Sequence, residues 1–281
     1  MIGKPVFATF QGGAARRTGI ERPFRRLSTR FCDGLIIGSA AEAERVQRVH
    51  GVPPERIARI PNPLDVDLWE SARRRAHPMP SAEGRRVVKV AWHGRVDMRR
   101  KGLDVLLDAW AGLAGRTDLP PRQLLLIGSG EDDDELGLRL GDEVFSDVHW
   151  VRGYELDKRR IADRLAAADV YAFPSRHEGF PVAPLEAMAS GLPLVAADAP
   201  GIAEILPLGE DSGGLIVPRG DSRAFAEGLA RLISDAPLRE RLARRASRRV
   251  AGSFSLEAVG RDLRRFMRLE SPGGAPHGAR P

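Results

Sequence analysis

Two glutamates and two basic residues have the types and spacing that could do chemistry. Glu178 and Glu186 lie eight residues apart, and Arg95 and Lys101 lie six residues apart. Ionised carboxylates accept hydrogen bonds from hydroxyl groups, so the acid pair suits a polyhydroxylated ligand. Arginine and lysine bind a diphosphate through charge-assisted hydrogen bonds. Each pair also has an ordinary explanation, since Glu186 would favour a helix dipole, Glu178 would be solvated, and the basic pair would lie in a solvated loop.

The acid pair follows a predicted strand and leads into a predicted helix. An apolar strand covers residues 170–173, and Glu178 lies in the loop behind it. The helix runs from Pro184, which suits the first helical position, to about residue 190, and Glu186 falls in its first turn. A helix N-terminus favours anions, so we expect both carboxylates and a phosphate to share this region.

The basic pair also lies between a predicted strand and a predicted helix. A strand at 87–92 precedes Arg95, and an amphipathic helix from Lys101 to about residue 113 follows it. Further strands are predicted at 123–127, 148–151 and 194–197, with helices at 158–168, 202–206, 222–234, 237–250 and 256–269. This alternation is typical of an α/β fold with a doubly wound parallel sheet. Ligands bind beyond the carboxyl ends of such strands, so the loops after Trp92, Ile127, Val151, Phe173 and Ala197 should line one crevice.

The residues before this regular part have a different organisation. Strands are predicted at 5–10, 34–38 and 57–60, with a helix capped by Ser39 and ending at about residue 50. We predict a partial N-terminal domain at 1–68, a non-periodic linker at 69–86 and a C-terminal domain at 87–252. A helix at 253–270 should pack back toward the N-terminal part, and the Pro- and Gly-rich tail 271–281 should be disordered.

Composition excludes several classes of protein. The 281 residues carry a net charge of +6, and no apolar run approaches a membrane span. The single cysteine, Cys32, excludes an internal disulfide framework and a cysteine-based zinc site. No nucleic-acid module accompanies the charge, and no signal peptide is visible, so we expect a cytoplasmic protein. The Arg-rich segment 16–30 is interpreted either as a solvated helix face or as a peripheral contact with the inner membrane surface.

Together the motifs resemble retaining glycosyltransferase family 4, the glycosyl transferases group 1 of the GT-B fold. That family carries Gly-Arg, Lys-Gly and two glutamates separated by seven residues, the second followed by Ala-Met-Ala-x-Gly-x-Pro. The matching residues here are Gly94-Arg95, Lys101-Gly102, and Glu178 with the segment 186–193. The segment 62–65 resembles the family's interdomain Asn-Gly-Val-Asp, and the likeness covers roughly residues 5–268. It implies one complete Rossmann-like domain and part of a second.

The resemblance implies a role for each site residue. Arg95 and Lys101 would hold the diphosphate of a UDP- or GDP-sugar, Glu186 would bind the ribose, and Glu178 would bind the donor sugar at the reacting centre. The remaining donor-binding positions are Gly153 and Tyr154, near the base, and Gly179, Phe180, Pro181 and Val182, near the sugar. The family transfers the sugar to an acceptor hydroxyl with retention and without a metal or other cofactor. The acceptor is open: a saccharide, a lipid-linked molecule or a small molecule.

The chain also departs from the family. The part that would carry the family's first strand, its Gly-Gly loop and much of the acceptor site is not found before residue 69. Gln11 stands where many members have an active-site histidine. Two hypotheses follow: an active glycosyltransferase whose N-terminal part is not in this chain, or a donor-binding module without turnover, such as one half of a split enzyme.

Three other patterns are weaker candidates. Asp65-Val-Asp67 resembles a metal-binding Asp-x-Asp motif but lies beside the linker. Gly128-Ser129-Gly130 lacks the third glycine of a dinucleotide loop and is followed by acidic residues that would repel phosphate. His93 and His177 lie near the expected crevice, where each could contact a ligand or make a structural hydrogen bond.

Overall fold

The computed structural model describes residues 5–10, 31–76 and 86–269. The Arg-rich segment 16–30, Gln11 and the tail 271–281, on which the sequence makes predictions, lie outside these ranges. Two parallel sheets form, one of three strands and one of six. Within the described ranges, no helix has the length and apolar character that crossing a membrane requires.

The smaller sheet contains the strands nearest the N-terminus. They are β1 (Phe7–Phe10), β2 (Gly34–Ile37) and β3 (Ile57–Arg59), in the order β1-β2-β3. Helix α1 (Ala40–His50) connects β2 to β3, and the Ser39 hydroxyl caps it by accepting from the Glu42 amide at 3.2 Å. This cap is the one that the sequence predicts. Leu35, Ile37 and Val46 form a small core of their own.

Helix α2 (Val66–Arg75) occupies much of the segment that the sequence analysis assigns to a non-periodic linker. The prediction is wrong for residues 69–75, because Val66, Trp69 and Ala72 are buried at helical spacing and pack against the larger sheet's helices. The run Arg73-Arg74-Arg75 obscured this pattern. Basic residues in the last turn interact favourably with the negative end of a helix dipole, so these arginines stabilise the end of α2 instead of preventing the helix.

The larger sheet has the strand order β6-β5-β4-β7-β8-β9, and every pairing is parallel. Its strands are β4 (Val88–His93), β5 (Arg122–Gly128), β6 (Val148–Arg152), β7 (Val170–Phe173), β8 (Leu194–Ala197) and β9 (Gly214–Val217). From β4 the chain adds β5 and β6 toward one edge of the sheet, and it then returns to add β7, β8 and β9 toward the other edge. The strand order therefore reverses between β4 and β7, and ligands bind at such a point in doubly wound sheets.

Helices cover both faces of the larger sheet. They are α3 (Leu103–Ala111), α4 (Asp133–Leu140), α5 (Lys158–Ala166), α6 (Ala183–Ala189), α7 (Ile202–Ile205), α8 (Ser222–Ser234) and α9 (Ala236–Phe254). One core lies on the α3 and α8 face, and a second lies on the face covered by α2, α5 and α6. The doubly wound sheet that the sequence predicts is confirmed. Strand β9 was missed, because it begins within Gly213-Gly214, and such a glycine pair is typical of a turn.

The last helix joins the two sheets. Helix α10 (Leu256–Leu269) brings Phe266 against Phe7 of the small sheet, with ring centroids 5.5 Å apart. Just before it, the Leu64 amide donates to the Phe254 carbonyl oxygen at 2.8 Å. The segment between β3 and α2 is thus bonded to the end of α9, and α10 packs on the small sheet.

Candidate functional site

The loop after β4 and the loop after β5 are held together by their backbones. The Gly94 amide donates to the Ile127 carbonyl at 3.0 Å, and the Val96 amide donates to the Ser129 carbonyl at 3.2 Å. A Cβ on Gly128 would lie 1.8 Å from the Gly94 carbonyl oxygen, so this close approach requires glycine. Gly128 and Gly130 are thus required for the packing of these two loops, which explains them without a dinucleotide. Arg95 is held in the loop between Gly94 and Val96.

The loop after β7 is fixed to the start of α3. A Cβ on Gly102, whose φ is +67°, would lie 2.1 Å from the Pro174 carbonyl oxygen. Arg176 binds both carboxylate oxygens of Asp104, at 2.6 and 2.9 Å. Because Lys101 immediately precedes Gly102, this docking sets where its ammonium group lies relative to the loop that carries Glu178.

Lys101 and Glu178 form a direct ion pair. The Lys101 Nζ donates to the Glu178 Oε1 at 2.7 Å, and both side chains are mostly shielded from solvent. The two residues are 77 positions apart in sequence and come from different loops. The structure thus brings together one member of each predicted pair.

Glu186 is a buried carboxylate with two cationic or polar partners. Its side chain accepts from the His93 Nε2 at 2.7 Å and from the Lys158 Nζ at 2.6 Å, although Glu186 is only 3% exposed. Burial alone would raise the pKa of Glu186, but the hydrogen bonds and charges of His93 and Lys158 outweigh it and hold that pKa below its ordinary value. Glu186 is therefore kept ionised and able to accept further hydrogen bonds.

His93 makes a structural hydrogen bond, one of the two roles that the sequence left open. Its ring also packs edge-on to Tyr171, with centroids 5.4 Å apart. Tyr171 is fully buried, and burial raises the pKa of its hydroxyl well above the ordinary value. The Tyr171 hydroxyl donates to the His93 carbonyl oxygen at 3.3 Å, so Tyr171 helps to fix the residue that holds Glu186.

Arg95 makes an ion pair with Glu131, the first acidic residue of the loop after β5. Both side chains are more than half exposed, so the pair contributes little to stability. Glu131 follows Gly130, which pairs with Val96 in an isolated bridge, and this register places it beside Arg95. The acidic loop therefore neutralises Arg95 here.

The remaining predicted positions lie on two loops. Tyr154 is 71% exposed and follows Gly153 in the loop between β6 and α5. The segment 179–182, which we call the donor-sugar loop after the role that the sequence predicts for it, lies immediately before α6 and is mostly half-buried. A Cβ on Gly201 would lie 2.7 Å from Pro181 Cδ and 3.0 Å from the Gly179 carbonyl oxygen. The loop is therefore packed against the start of α7.

Sequence reasoning missed Lys158 as a site residue. It predicted a helix start there, and Lys158 is the first residue of α5. A cation is disfavoured at the positive end of a helix dipole, so its position was a signal that a nearby carboxylate holds it. The discounted Asp65 accepts from the Leu68 amide at 3.3 Å as the cap of α2. Among the described residues, no cluster of His, Cys, Asp or Glu has the geometry to hold a metal ion.

Comparison with protein-family models identifies the chain. A model described as "Glycosyl transferases group 1" matches residues 88–235, which is the larger sheet and most of the site. A model described as "Glycosyltransferase Family 4" matches residues 2–68. The chain belongs to the group 1 glycosyltransferases. The family predicted from the motifs is confirmed.

Several curated proteins are similar in sequence. A phosphatidyl-myo-inositol mannosyltransferase from Mycobacterium leprae is 32% identical over 246 residues, which cover 84% of this chain and 60% of that protein. A D-inositol 3-phosphate glycosyltransferase from Xylanimonas cellulosilytica is 32% identical over 237 residues, covering 77% of this chain and 53% of that protein. The chain thus spans a little over half of the length of these relatives.

Solved structures establish the fold. Sucrose-phosphate synthase from Thermosynechococcus elongatus superposes with a TM-score of 0.75 at 24% identity, over 94% of this chain and 67% of that one. HepE from Anabaena, in complex with UDP, superposes with a TM-score of 0.79 at 20% identity, over 95% of this chain and 72% of that one. The chain has the GT-B fold that the sequence predicts.

Proposed function

We propose that the crevice at the carboxyl edge of the larger sheet binds a nucleoside diphosphate sugar and that the protein transfers the sugar to an acceptor hydroxyl. One observation carries the proposal. At the carboxyl edge of the sheet, the buried, ionised carboxylate of Glu186 accepts from Lys158 at 2.6 Å, and Glu178 accepts from Lys101 at 2.7 Å, while Arg95 pairs with Glu131 in the neighbouring loops. Such a set provides acceptors for sugar hydroxyls and donors for phosphate oxygens.

Arg95 and Lys101 are the proposed diphosphate ligands. Lys101 has three N–H donors and the structure uses one of them on Glu178, so two stay available for phosphate oxygens. The Arg95–Glu131 pair is exposed, and an incoming diphosphate with higher charge would replace the carboxylate at low energetic cost. The first backbone amides of α3 lie beside Lys101 and add a positive helix end.

The two glutamates are the proposed sugar ligands. Glu186 would bind the ribose hydroxyls, since each of its oxygens already holds one donor and can accept another. Glu178 would bind the donor sugar together with the backbone of Gly179 and Phe180. Gly153 and Tyr154 would contact the base, and Pro181 and Val182 would complete the wall beside the sugar.

The proposed reaction is glycosyl transfer with retention of anomeric configuration and without a metal ion. The bond between the anomeric carbon and the diphosphate oxygen breaks, a bond to the acceptor oxygen forms on the same face, and the proton of the acceptor hydroxyl passes to the departing diphosphate. Arg95 and Lys101 stabilise the negative charge that develops on the departing diphosphate. Glu178, held by Lys101, would steady the sugar as positive charge develops on it.

The donor is proposed to be a UDP- or GDP-sugar. HepE was solved with UDP and with UDP-glucose, and several relatives are named as mannosyltransferases or inositol phosphate glycosyltransferases. The acceptor could be a saccharide, a lipid-linked molecule or a small molecule. We propose a cytoplasmic location, with segment 16–30 either solvated or in contact with the inner membrane face.

Donor binding and turnover are separable in this chain. A binding module without turnover is the second candidate, since the chain spans about 60% of the mannosyltransferase from Mycobacterium leprae. Measuring release of UDP or GDP in the presence of candidate acceptors distinguishes the two. Binding with no release supports the module, and release that depends on acceptor supports the transferase.

Titration of the chain with UDP, GDP, UDP-glucose and GDP-mannose tests the binding claim. We expect saturable binding of at least one of them, weakened roughly 10- to 100-fold in Arg95→Gln and in Glu186→Gln, since hydrogen bonds to charged groups contribute about 1.5–3 kcal/mol. Arg116→Gln is the matched control, because Arg116 pairs with Asp118 on an exposed turn. If none of the four ligands binds, or if the site variants bind as the control does, the proposal is wrong.

A further inference from the structure

The small sheet contacts the larger domain close to the donor-sugar loop. Gly38, at the carboxyl end of β2, lies so near Phe180 that a Cβ on it would be 3.3 Å from the Phe180 Cβ. Two residues further on, the Ala40 amide donates to the Glu204 Oε1 of α7 at 2.8 Å. Glu204 thus binds the N-terminus of α1, where the helix dipole favours a carboxylate.

The donor-sugar loop contacts both of the segments that this hydrogen bond joins. Gly201, three residues before Glu204, packs against Gly179 and Pro181, and Gly38, two residues before Ala40, packs against Phe180. Phe180 also lies 6.0 Å from the Phe254 ring. The hydrogen bond between Ala40 and Glu204 therefore joins the two segments that contact the loop.

The backbone of Glu204 is held by an arginine of α9. The Arg249 Nη2 donates to the Glu204 carbonyl oxygen at 2.8 Å, and its Nε donates to the Ile205 carbonyl oxygen at 3.3 Å. Helix α7 has only four residues and one backbone hydrogen bond of its own, from the Leu206 amide to the Ile202 carbonyl oxygen at 2.8 Å, and the Arg249 contacts anchor it to α9. Because its backbone is held in place, the Glu204 side chain can restrain α1, to which it is hydrogen-bonded.

We propose that Glu204 is a positioning residue for the donor-sugar loop. Its hydrogen bond to the Ala40 amide holds the small sheet against Phe180, so that the backbone of Gly179 and Phe180 stays where the donor sugar would bind. This inference rests on the proposed function for the identity of the ligand, but the contact and its effect on the loop exist without ligand. Loss of the bond should loosen the loop and leave the diphosphate ligands Arg95 and Lys101 untouched.

The bond can be removed from either end. Glu204→Ala removes the acceptor, and Glu204→Gln keeps an oxygen that can accept. Ala40→Pro removes the donor, since proline has no amide hydrogen. Ala40 is the first residue of α1, a position that proline favours, and Ser39 before it has extended backbone (φ −119°, ψ 145°), which a following proline also favours. The helix should therefore form normally in this variant.

Amide hydrogen exchange of the ligand-free chain is the first measurement. We expect the donor-sugar loop to exchange at least 3-fold faster in Glu204→Ala and in Ala40→Pro, with Glu204→Gln in between. The double variant should exchange no faster than either single variant, because both remove the same bond. Glu227→Gln and Ser222→Pro, at an exposed site and at the first position of α8, are the controls.

Paired titrations with UDP and UDP-glucose, and with GDP and GDP-mannose, are the second measurement. We expect the variants to bind the nucleoside diphosphate within about 2-fold of the parent and to bind the corresponding sugar nucleotide 3- to 10-fold more weakly. Unchanged exchange in the loop, or an equal loss for both members of a pair, overturns the inference. If the parent binds no nucleotide, the proposed function is wrong, and the exchange result alone decides the role of Glu204.

Discussion

Replacing Glu186 by glutamine tests how the site holds its buried charge. The carboxylate loses two charge-assisted hydrogen bonds, to His93 and Lys158, each about 1.5–3 kcal/mol in a shielded setting. Lys158 is 56% exposed, so its share is small. Removing the cost of burying a charge offsets part of the remainder. We expect Glu186→Gln to lower the free energy of unfolding by about 1–2 kcal/mol at pH 7.

The stability difference between the parent and Glu186→Gln should depend on pH in a defined direction. The pKa of Glu186 in the folded protein lies below the ordinary value of 4.5, so ionisation contributes stability above that pH and the contribution is lost as the pH falls through the folded pKa. The difference between parent and variant should be constant from pH 7 to about 5 and shrink below about 4.5. Urea denaturation at pH 7, 5.5, 4.5 and 3.5 measures it, with Glu227→Gln as control. A variant as stable as the parent at pH 7, or a difference that grows on acidification, would refute the reasoning.

Three further variants test single parts of the site. Gly102→Ala should cost at least about 2 kcal/mol more stability in urea than Gly51→Ala, because both have φ near +65° but only Gly102 lies against a carbonyl oxygen. Lys158→Met should lose less stability than the parent between about pH 5 and 3.5, because without this cation the folded pKa of Glu186 lies closer to its unfolded value, and Arg159→Met should behave as the parent does. Tyr154→Ala should leave stability within about 0.5 kcal/mol of the parent yet weaken UDP or GDP binding about 5-fold or more, because stacking on a base contributes about 1–3 kcal/mol. Equal losses for the two glycines, equal acid curves for Lys158 and Arg159, or unchanged nucleotide affinity for Tyr154 would each contradict the corresponding prediction.

Much of the larger domain follows from the order of residues along the chain. Apolar runs such as 170–173 are bounded by turn residues, and parallel strands that alternate with helices must lead their loops to one edge. This is why Lys101 and Glu178 could be predicted to share a crevice. Their direct pairing at 2.7 Å could not, because it depends on how Pro174 docks against Gly102.

The misses have physical causes. Helix α2 was overlooked because three arginines at its end hid a buried stripe of Val66, Trp69 and Ala72. Strand β9 was overlooked because it begins within a pair of glycines, which is typical of a turn. Lys158 approaches Glu186 from a helix 28 residues earlier, and local sequence has no pattern that measures such a distance. Contacts between the two sheets, such as Ala40 with Glu204, depend on tertiary packing alone.

The most direct test of the account is a crystal structure of the chain with UDP or GDP bound. We predict that the diphosphate lies within hydrogen-bonding distance of Arg95 and Lys101, and that the ribose hydroxyls donate to Glu186. A nucleotide bound elsewhere, or one whose ribose makes no contact with Glu186, would contradict the central claim.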